Sequence, residues 1–220
     1  MDLRSEKWIL LGASKGLGKS FALLAAQKKS LELISISRKA NISADFSQAE
    51  KFSENLELIQ KFEADRVFYF AGGGPYGKFQ DKAWKDHEWA LNVNFRFPAF
   101  LLHQLLQSQN SIKQIVFVGS SIAESSTDPK ASMYCASKHA LKALLMTVQE
   151  EMKDLKSTGE FKDIRLFSPG YMDTGLLPAH AWPRQAAGLL VSPDKNAELL
   201  WAWIHNEDDA GSHLVLNSRI

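Results

Sequence analysis

The chain has 220 residues, 45% of them hydrophobic and 23% charged, which is the composition of an ordinary folded protein and the length of a single α/β domain over residues 1–220. Its 26 basic and 25 acidic residues leave a formal charge of +1, so nothing favours a nucleic-acid or membrane partner. The sequence has no signal-peptide pattern and no apolar run near the ~20 residues of a membrane span. It contains one cysteine, Cys135. From these features we expect a cytoplasmic protein.

The first predicted element is an apolar strand over residues 8–11, followed by Gly12, Gly16 and Gly18 and then by apolar residues at helical spacing. A strand, a glycine turn and a helix present free backbone N–H groups to a phosphate. Glycines suit the turn because a Cβ would block close approach to a pyrophosphate. The same pattern also occurs in strand–helix turns without a ligand. The interpretation therefore depends on the motifs further along the chain.

The rest of the chain alternates predicted strands and helices. Strands are predicted at 31–37, 42–47 (short), 66–70, 114–119, 163–167 and 214–216, and helices at 48–62, 81–109, 131–155 and 194–205. Too few residues separate the second and third strands for a full crossover helix. Pro98 predicts a kink or a helix restart, and residues 175–192 an irregular, lid-like segment. The alternation predicts a Rossmann-type doubly wound, mostly parallel sheet in three αβα layers, with the ligand beyond the carboxyl ends of the strands.

Tyr134 and Lys138 lie four positions apart on a predicted helix, so their side chains share one face. An ammonium group beside a phenol lowers the tyrosine pKa from about 10, which makes the tyrosine a usable proton donor and acceptor. Ser121, thirteen residues earlier at a predicted strand end, could hold a carbonyl or alcohol oxygen beside Tyr134. Taken singly, such a pair is more often a solvated helix face and such a serine a turn residue.

Together, these motifs resemble the short-chain dehydrogenase/reductase family over most of the chain. The matching segments are GASKGLG at 12–18, VNF at 93–95, GSS at 119–121, YCASK at 134–138 and SPGYMDT at 168–174. The resemblance implies a nicotinamide-dependent oxidoreductase that reduces a small aldehyde or ketone to an alcohol, or the reverse, with no metal. It places the catalytic roles on Ser121, Tyr134, Lys138 and Asn94, the last supporting a proton-relay water.

The resemblance also implies the residues that bind the dinucleotide. They are Gly12, Ser14, Lys15, Gly16, Leu17, Gly18, Ser37, Arg38, Asp45, Ala71, Gly72, Gly73, Tyr134, Lys138, Pro169, Gly170 and Thr174. Among them, Asp45 is expected to contact the adenine, Lys138 the nicotinamide ribose, and Thr174 the nicotinamide amide.

Arg38 stands where NAD-specific dinucleotide folds place an acidic residue, about 20 residues past the glycine loop. A guanidinium group can pair with the 2′-phosphate of NADP, whereas a carboxylate would repel it. Lys15 adds a second positive charge within the glycine loop. The sequence therefore predicts a preference for NADP(H), with NAD(H) possible. The alternative is that Arg38 and its neighbour Lys39 are solvated surface charges.

The chain departs from the family pattern at Phe70, where the family usually has asparagine, and in its final strand, which lacks the usual glycine-rich motif. We expect a homodimer through the helices around 94–109 and 134–155, or a homotetramer. Two other functions stay open: a non-catalytic NADP(H)-binding regulator or scaffold, and an epimerase or dehydratase. The Ser/Tyr/Lys/Asn set favours an enzyme over a regulator, and the short chain disfavours the epimerase, which usually needs a longer substrate domain.

Overall fold

The computed structural model describes residues 5–108, 110–124, 128–155 and 162–216. Residue 109, the last of the predicted helical span 81–109, lies outside them. The strands are β1 (Glu6–Leu11), β2 (Leu31–Ile36), β3 (Arg66–Tyr69), β4 (Gln114–Val118), β5 (Asp163–Ser168) and β6 (His213–Val215). The helices are α1 (Gly16–Ala25), α2 (Phe52–Gln60), α3 (Trp84–Leu91), α4 (Phe97–Gln107), α5 (Ser132–Asp154), α6 (Trp182–Gln185) and α7 (Pro193–Ile204).

The six strands form one parallel sheet in the order β2-β1-β3-β4-β5-β6. Alternate residues of β1 face opposite sides of it, as the pleat of a strand requires. Ile9 and Leu11 belong to a core that includes residues of α2, α4 and α5, whereas Trp8 and Leu10 pack with α1 and α7. A parallel sheet buried on both faces confirms the predicted three-layer Rossmann-type fold.

The predicted short strand at 42–47 is wrong. Only a single parallel bridge, Ile36 to Ile42, forms there. The backbone instead turns back on the end of β2, because Ser37 N donates to Ile42 O and Ala44 N to Ser37 O. A parallel strand cannot follow β2 after so few residues, since a crossover needs a dozen or more. Consequently β2 is the edge strand of the sheet.

The long predicted helix before β4 is interrupted by a π-helical turn, Asn92–Arg96, between α3 and α4. Pro98 lies in the first turn of α4, and its missing N–H cannot donate to the carbonyl of Asn94 four residues back. Phe97 N accordingly donates to Asn92 O, five residues back. This wide turn confirms the predicted irregularity at Pro98 and carries Asn94 into the protein interior, where it is fully buried.

Among the described residues, no helix is both long and apolar enough to cross a bilayer.

Candidate active site

A cavity of about 440 Å³ opens beyond the carboxyl ends of the strands, where a parallel α/β sheet binds ligands. It is lined by all of the cofactor-binding residues that the sequence predicts except Gly73, and also by Phe70, Trp89, Ser120 and Asp128. Loops from β1, β2, β3, β4 and β5 thus meet at one edge of the sheet. The topology therefore brings the separate sequence motifs to a common site.

The glycine loop gives this cavity a phosphate-binding shape. Gly12 adopts a φ of +88° and Gly16 a φ of +54°, conformations that glycine adopts without strain. α1 begins at Gly16 with no capping side chain and no acidic residue in its first turn. Its first N–H groups therefore remain available as donors beside the cavity. The loop fits the diphosphate of a dinucleotide, which would accept these hydrogen bonds.

Arg38 and Asp45 also line this cavity. The Arg38 guanidinium lies 5.7 Å from the ring centre of Trp89 and forms no ion pair with any carboxylate among the described residues. One oxygen of Asp45, Oδ1, accepts hydrogen bonds from Ser47 N at 3.0 Å and Ser47 Oγ at 2.6 Å. A guanidinium group without a carboxylate partner among the described residues, together with an oriented carboxylate in the same cavity, can accommodate a phosphorylated ribose and an adenine.

Asn94 does not line the cavity but hydrogen-bonds the loop after β3, whose residues Ala71, Gly72 and Gly74 do. Its Oδ1 accepts from Gly73 N at 3.0 Å, and its Nδ2 donates to Gly73 O at 2.6 Å and to Ala90 O at 2.7 Å. Gly73 is itself buried, since Trp89 and Leu176 cover the side where a Cβ would stand. Asn94 therefore fixes the loop after β3, and both of its amide hydrogens are already used.

The structure places the two serines of GSS at 119–121 differently. Ser120 lines the cavity and hydrogen-bonds the Tyr134 phenol, whereas Ser121 does not line the cavity. Ser121 begins a 3-10 turn and is held through its backbone, because Ser121 N donates to Pro169 O at 2.8 Å. Counting thirteen residues back from Tyr134 leads to Ser121, whereas the serine that lines the cavity is the adjacent Ser120.

The pKa of Tyr134 also differs from the expectation. Burial raises it to about 12, although the hydrogen bond with Ser120 acts in the opposite direction. The Lys138 Nζ lies 5.7 Å from the phenol ring centre and donates to Val118 O at 2.7 Å. Burial lowers the pKa of Lys138 to about 7. Tyr134 therefore holds its proton throughout the neutral range, as a proton donor must.

The buried Lys138 should make the stability of the free protein depend on pH. Its pKa is about 7 in the folded state and returns to about 10.4 on unfolding. Between these values the unfolded chain binds more protons, so the free energy of unfolding should rise as pH increases from 7 to 10. Lys138→Met should remove this rise, measured by urea unfolding at several pH values.

The exposed Lys51→Met is the matched control, and it should keep the wild-type pH dependence. Lys162 and His213 also have lowered pKa values, so the difference between Lys138→Met and wild type is the quantity to compare. Parallel pH curves for Lys138→Met and wild type would contradict the prediction.

The segment at 175–192 contributes Gly175, Leu176 and Leu177 to the cavity wall. It contains the short helix α6, and Arg184 of that helix ties it together by donating to Asp173 Oδ1, Thr174 O and Leu177 O. Trp182 Nε1 donates to Asp128 Oδ1 at 2.8 Å. The sequence predicted the irregular backbone of residues 175–192. It did not identify Asp128 and Trp89 as cavity residues, because neither residue belongs to a recognisable motif.

Phe70, the departure from the family pattern, lines the cavity and packs against α1. Its ring centre lies 5.4 Å from that of Phe21, and its Cβ would be 2.9 Å from a Cβ on Gly18. The polar contact that an asparagine would make is thus replaced by aromatic packing between β3 and α1.

Comparisons with known proteins agree with this architecture. A family model described as short chain dehydrogenase matches residues 40–181. The "Short-chain dehydrogenase/reductase FrzI" of Cladobotryum sp is 25% identical, over 80% of this chain and 74% of its own. The structure of 4-hydroxyisoleucine dehydrogenase complexed with NADH has a TM-score of 0.80 at 18% identity, with 97% of both chains covered. A short chain dehydrogenase from Burkholderia cenocepacia J2315 in complex with NADP has a TM-score of 0.79 at 21% identity, with 98% of both chains covered. These structures show the same fold.

Proposed function

This chain belongs to the short-chain dehydrogenase family of oxidoreductases, and on that premise we propose that it reduces a small aldehyde or ketone to an alcohol with NADPH, or catalyses the reverse reaction. The observation that carries the proposal is the meeting of Tyr134, Ser120 and Lys138 in the same cavity as the glycine loop. A protein that only bound the dinucleotide would have no use for a serine–tyrosine pair in the cavity wall.

A bound nicotinamide dinucleotide would supply the hydride. In the proposed mechanism Tyr134 Oη donates a proton to the substrate oxygen, and Ser120 Oγ holds that oxygen in place. Lys138, next to Gly72 at the floor of the cavity, would bind the nicotinamide ribose. Asn94 keeps the loop containing Gly72 and Gly73 in position, because it hydrogen-bonds both backbone groups of Gly73.

The decisive test of this function is turnover of a panel of aldehydes, ketones and alcohols, followed by the absorbance of NADPH and by identification of the products. Reduction of at least one carbonyl compound is expected. Tight NADPH binding with no turnover of any compound would instead support the regulator or scaffold.

The role of Ser120 can be separated from that of Ser121 by comparing two alanine variants. Ser120→Ala should lower kcat/KM by roughly tenfold, since it removes a hydrogen bond worth ~1.5 kcal/mol to the reacting oxygen. Ser121→Ala should change it little, because Ser121 is held by a backbone hydrogen bond that alanine retains. A larger loss for Ser121→Ala would restore the assignment made from the sequence.

The proposed preference for NADPH depends on Arg38. Its guanidinium group lines the cavity without a carboxylate partner among the described residues, and it rests over the Trp89 ring. A bidentate pair with a 2′-phosphate would satisfy it. Lys15 and Lys39 also line this part of the cavity and add positive charge. NADH would leave the guanidinium group without an anion.

Arg38→Asp should erase or reverse the preference for NADPH over NADH. A hydrogen bond to a charged group is worth ~1.5–3 kcal/mol, so wild type should discriminate by roughly ten- to hundredfold. The measurement is Kd for each dinucleotide by fluorescence titration, and kcat should change less than Kd. The exposed Lys51→Asp, which alters the net charge equally, is the control and should keep the wild-type ratio. Equal Kd values in wild type would exclude Arg38 as a phosphate clamp.

A further inference from the structure

Asp128 is a buried carboxylate in the wall of the active-site cavity. Its relative exposure is 4%, and it lies in the loop between β4 and α5. Asp128 O accepts from Ala131 N at 3.1 Å, just before α5 begins and six residues before Tyr134. Its two carboxylate oxygens each accept one hydrogen bond, Oδ2 from Tyr171 Oη at 2.7 Å and Oδ1 from Trp182 Nε1 at 2.8 Å.

These two donors are neutral, and no ion pair involves Asp128 among the described residues. The lysine nearest to the reacting centre, Lys138, is engaged by Val118 O. A buried carboxylate without a cation is costly, and two neutral donors offset only part of that cost. Each carboxylate oxygen also has a second lone pair that can still accept.

The surroundings of Asp128 suit a cation. The wall of this cavity also includes Tyr76, Tyr134 and Tyr171 and the apolar side chains of Ile122 and Leu177, and Tyr171 contacts Asp128 directly. The faces of tyrosine rings attract cations, and a carboxylate beside them is the usual partner of an ammonium group. An anionic substrate would instead be repelled by Asp128 and would leave its charge unpaired.

We propose that the substrate is a small carbonyl compound bearing a protonated amine, with the ammonium group paired to Asp128 and the carbonyl oxygen at Tyr134 and Ser120. The inference rests on the proposed carbonyl reduction and adds the substrate class. Asp128 also tethers α6 through Trp182. That tether does not need a negative charge, because a neutral amide oxygen would accept the same indole N–H.

The test uses pairs of ketones that differ only by exchange of a protonated dimethylamino group for an isopropyl group, such as 5-(dimethylamino)pentan-2-one and 6-methylheptan-2-one, with shorter and longer spacers. Wild type should prefer the amine by roughly ten- to hundredfold in kcat/KM in at least one pair, since a hydrogen bond to a charged group is worth that factor. If the carbon compound is reduced as well as the amine in every pair, the inference is overturned.

Asp128→Asn should bring the ratio within the pair close to one. The asparagine can keep the local contacts, because its Oδ1 accepts from Trp182 and its Nδ2 donates to the Tyr171 hydroxyl. Tyr171→Phe is the control, since it removes a hydrogen bond but leaves the charge, and it should keep the preference for the amine. An unchanged ratio in Asp128→Asn would also overturn the inference.

Failure of this inference can be distinguished from failure of the proposed function. Turnover of other carbonyl compounds with no preference for any amine would overturn the inference alone. If no carbonyl compound is reduced, calorimetric binding of each pair to the NADPH-loaded protein still tests the site. Tighter binding of the amine to wild type, but not to Asp128→Asn, would support it, and equal binding would overturn it.

Discussion

Tyr134→Phe is expected to lower kcat/KM for carbonyl reduction by ~10²–10⁴-fold while leaving the Kd for NADPH nearly unchanged. Burial raises the pKa of the Tyr134 phenol to about 12, so the hydroxyl carries its proton at every pH where the protein would be assayed. Phenylalanine fills the same volume and removes only this proton and one hydrogen bond with Ser120. The loss should therefore appear in the chemical step rather than in cofactor binding.

Tyr76→Phe is the matched control, because Tyr76 lines the same cavity and loses the same hydroxyl group. Its kcat/KM should fall by less than about tenfold, since a hydrogen bond between neutral groups is worth ~0.5–1.5 kcal/mol. Steady-state kinetics of the two variants, with NADPH titrations of both, make the comparison. If Tyr134→Phe retains wild-type turnover, another group supplies the proton.

Much of the fold can be predicted from the pattern of apolar and polar residues in individual segments. The apolar run at residues 8–11 becomes the centre of β1 because a strand covered on both faces needs apolar residues at every position. The prediction at 42–47 was wrong because a short apolar segment looks the same in a strand and in a buried turn. The segment forms a turn held by the hydrogen bonds of Ser37 with Ile42 and Ala44, and its short distance from β2 in the sequence was the feature that argued against a strand.

The site was predictable as a set of motifs but not in its fine geometry. Spacing on a helix places Tyr134 and Lys138 on one face, yet it does not tell how far each is buried. Burial lowers the pKa of Lys138 to about 7, and the hydrogen-bond partner of its ammonium group is the carbonyl of Val118 rather than the tyrosine. Asp128 was missed for a similar reason, since its contacts with Tyr171 and Trp182 join segments far apart in the sequence.

Gly12→Ala is the substitution expected to destabilise the protein most among the glycines of the cavity. Gly12 has a φ of +88°, which costs a residue with a Cβ ~1–3 kcal/mol. A Cβ there would also lie 2.6 Å from Ala71 Cα, inside the adjacent backbone of the loop after β3. Forcing these two segments apart should cost a further ~1–3 kcal/mol. The sum is a large part of the ~5–15 kcal/mol that stabilises a typical domain.

Two other glycines separate these contributions. Gly188 has a φ of +75° but open space around it, so Gly188→Ala should cost only the backbone strain. Gly175 has open space and no positive φ, so Gly175→Ala should change the free energy of unfolding by no more than ~0.5 kcal/mol. Urea unfolding should rank the three variants Gly12, Gly188 and Gly175 from most to least destabilised. If Gly12→Ala lowers the free energy of unfolding no more than Gly188→Ala does, the glycine loop and the loop after β3 can separate at little cost. Close packing between these two loops would then not set the shape of the proposed phosphate site.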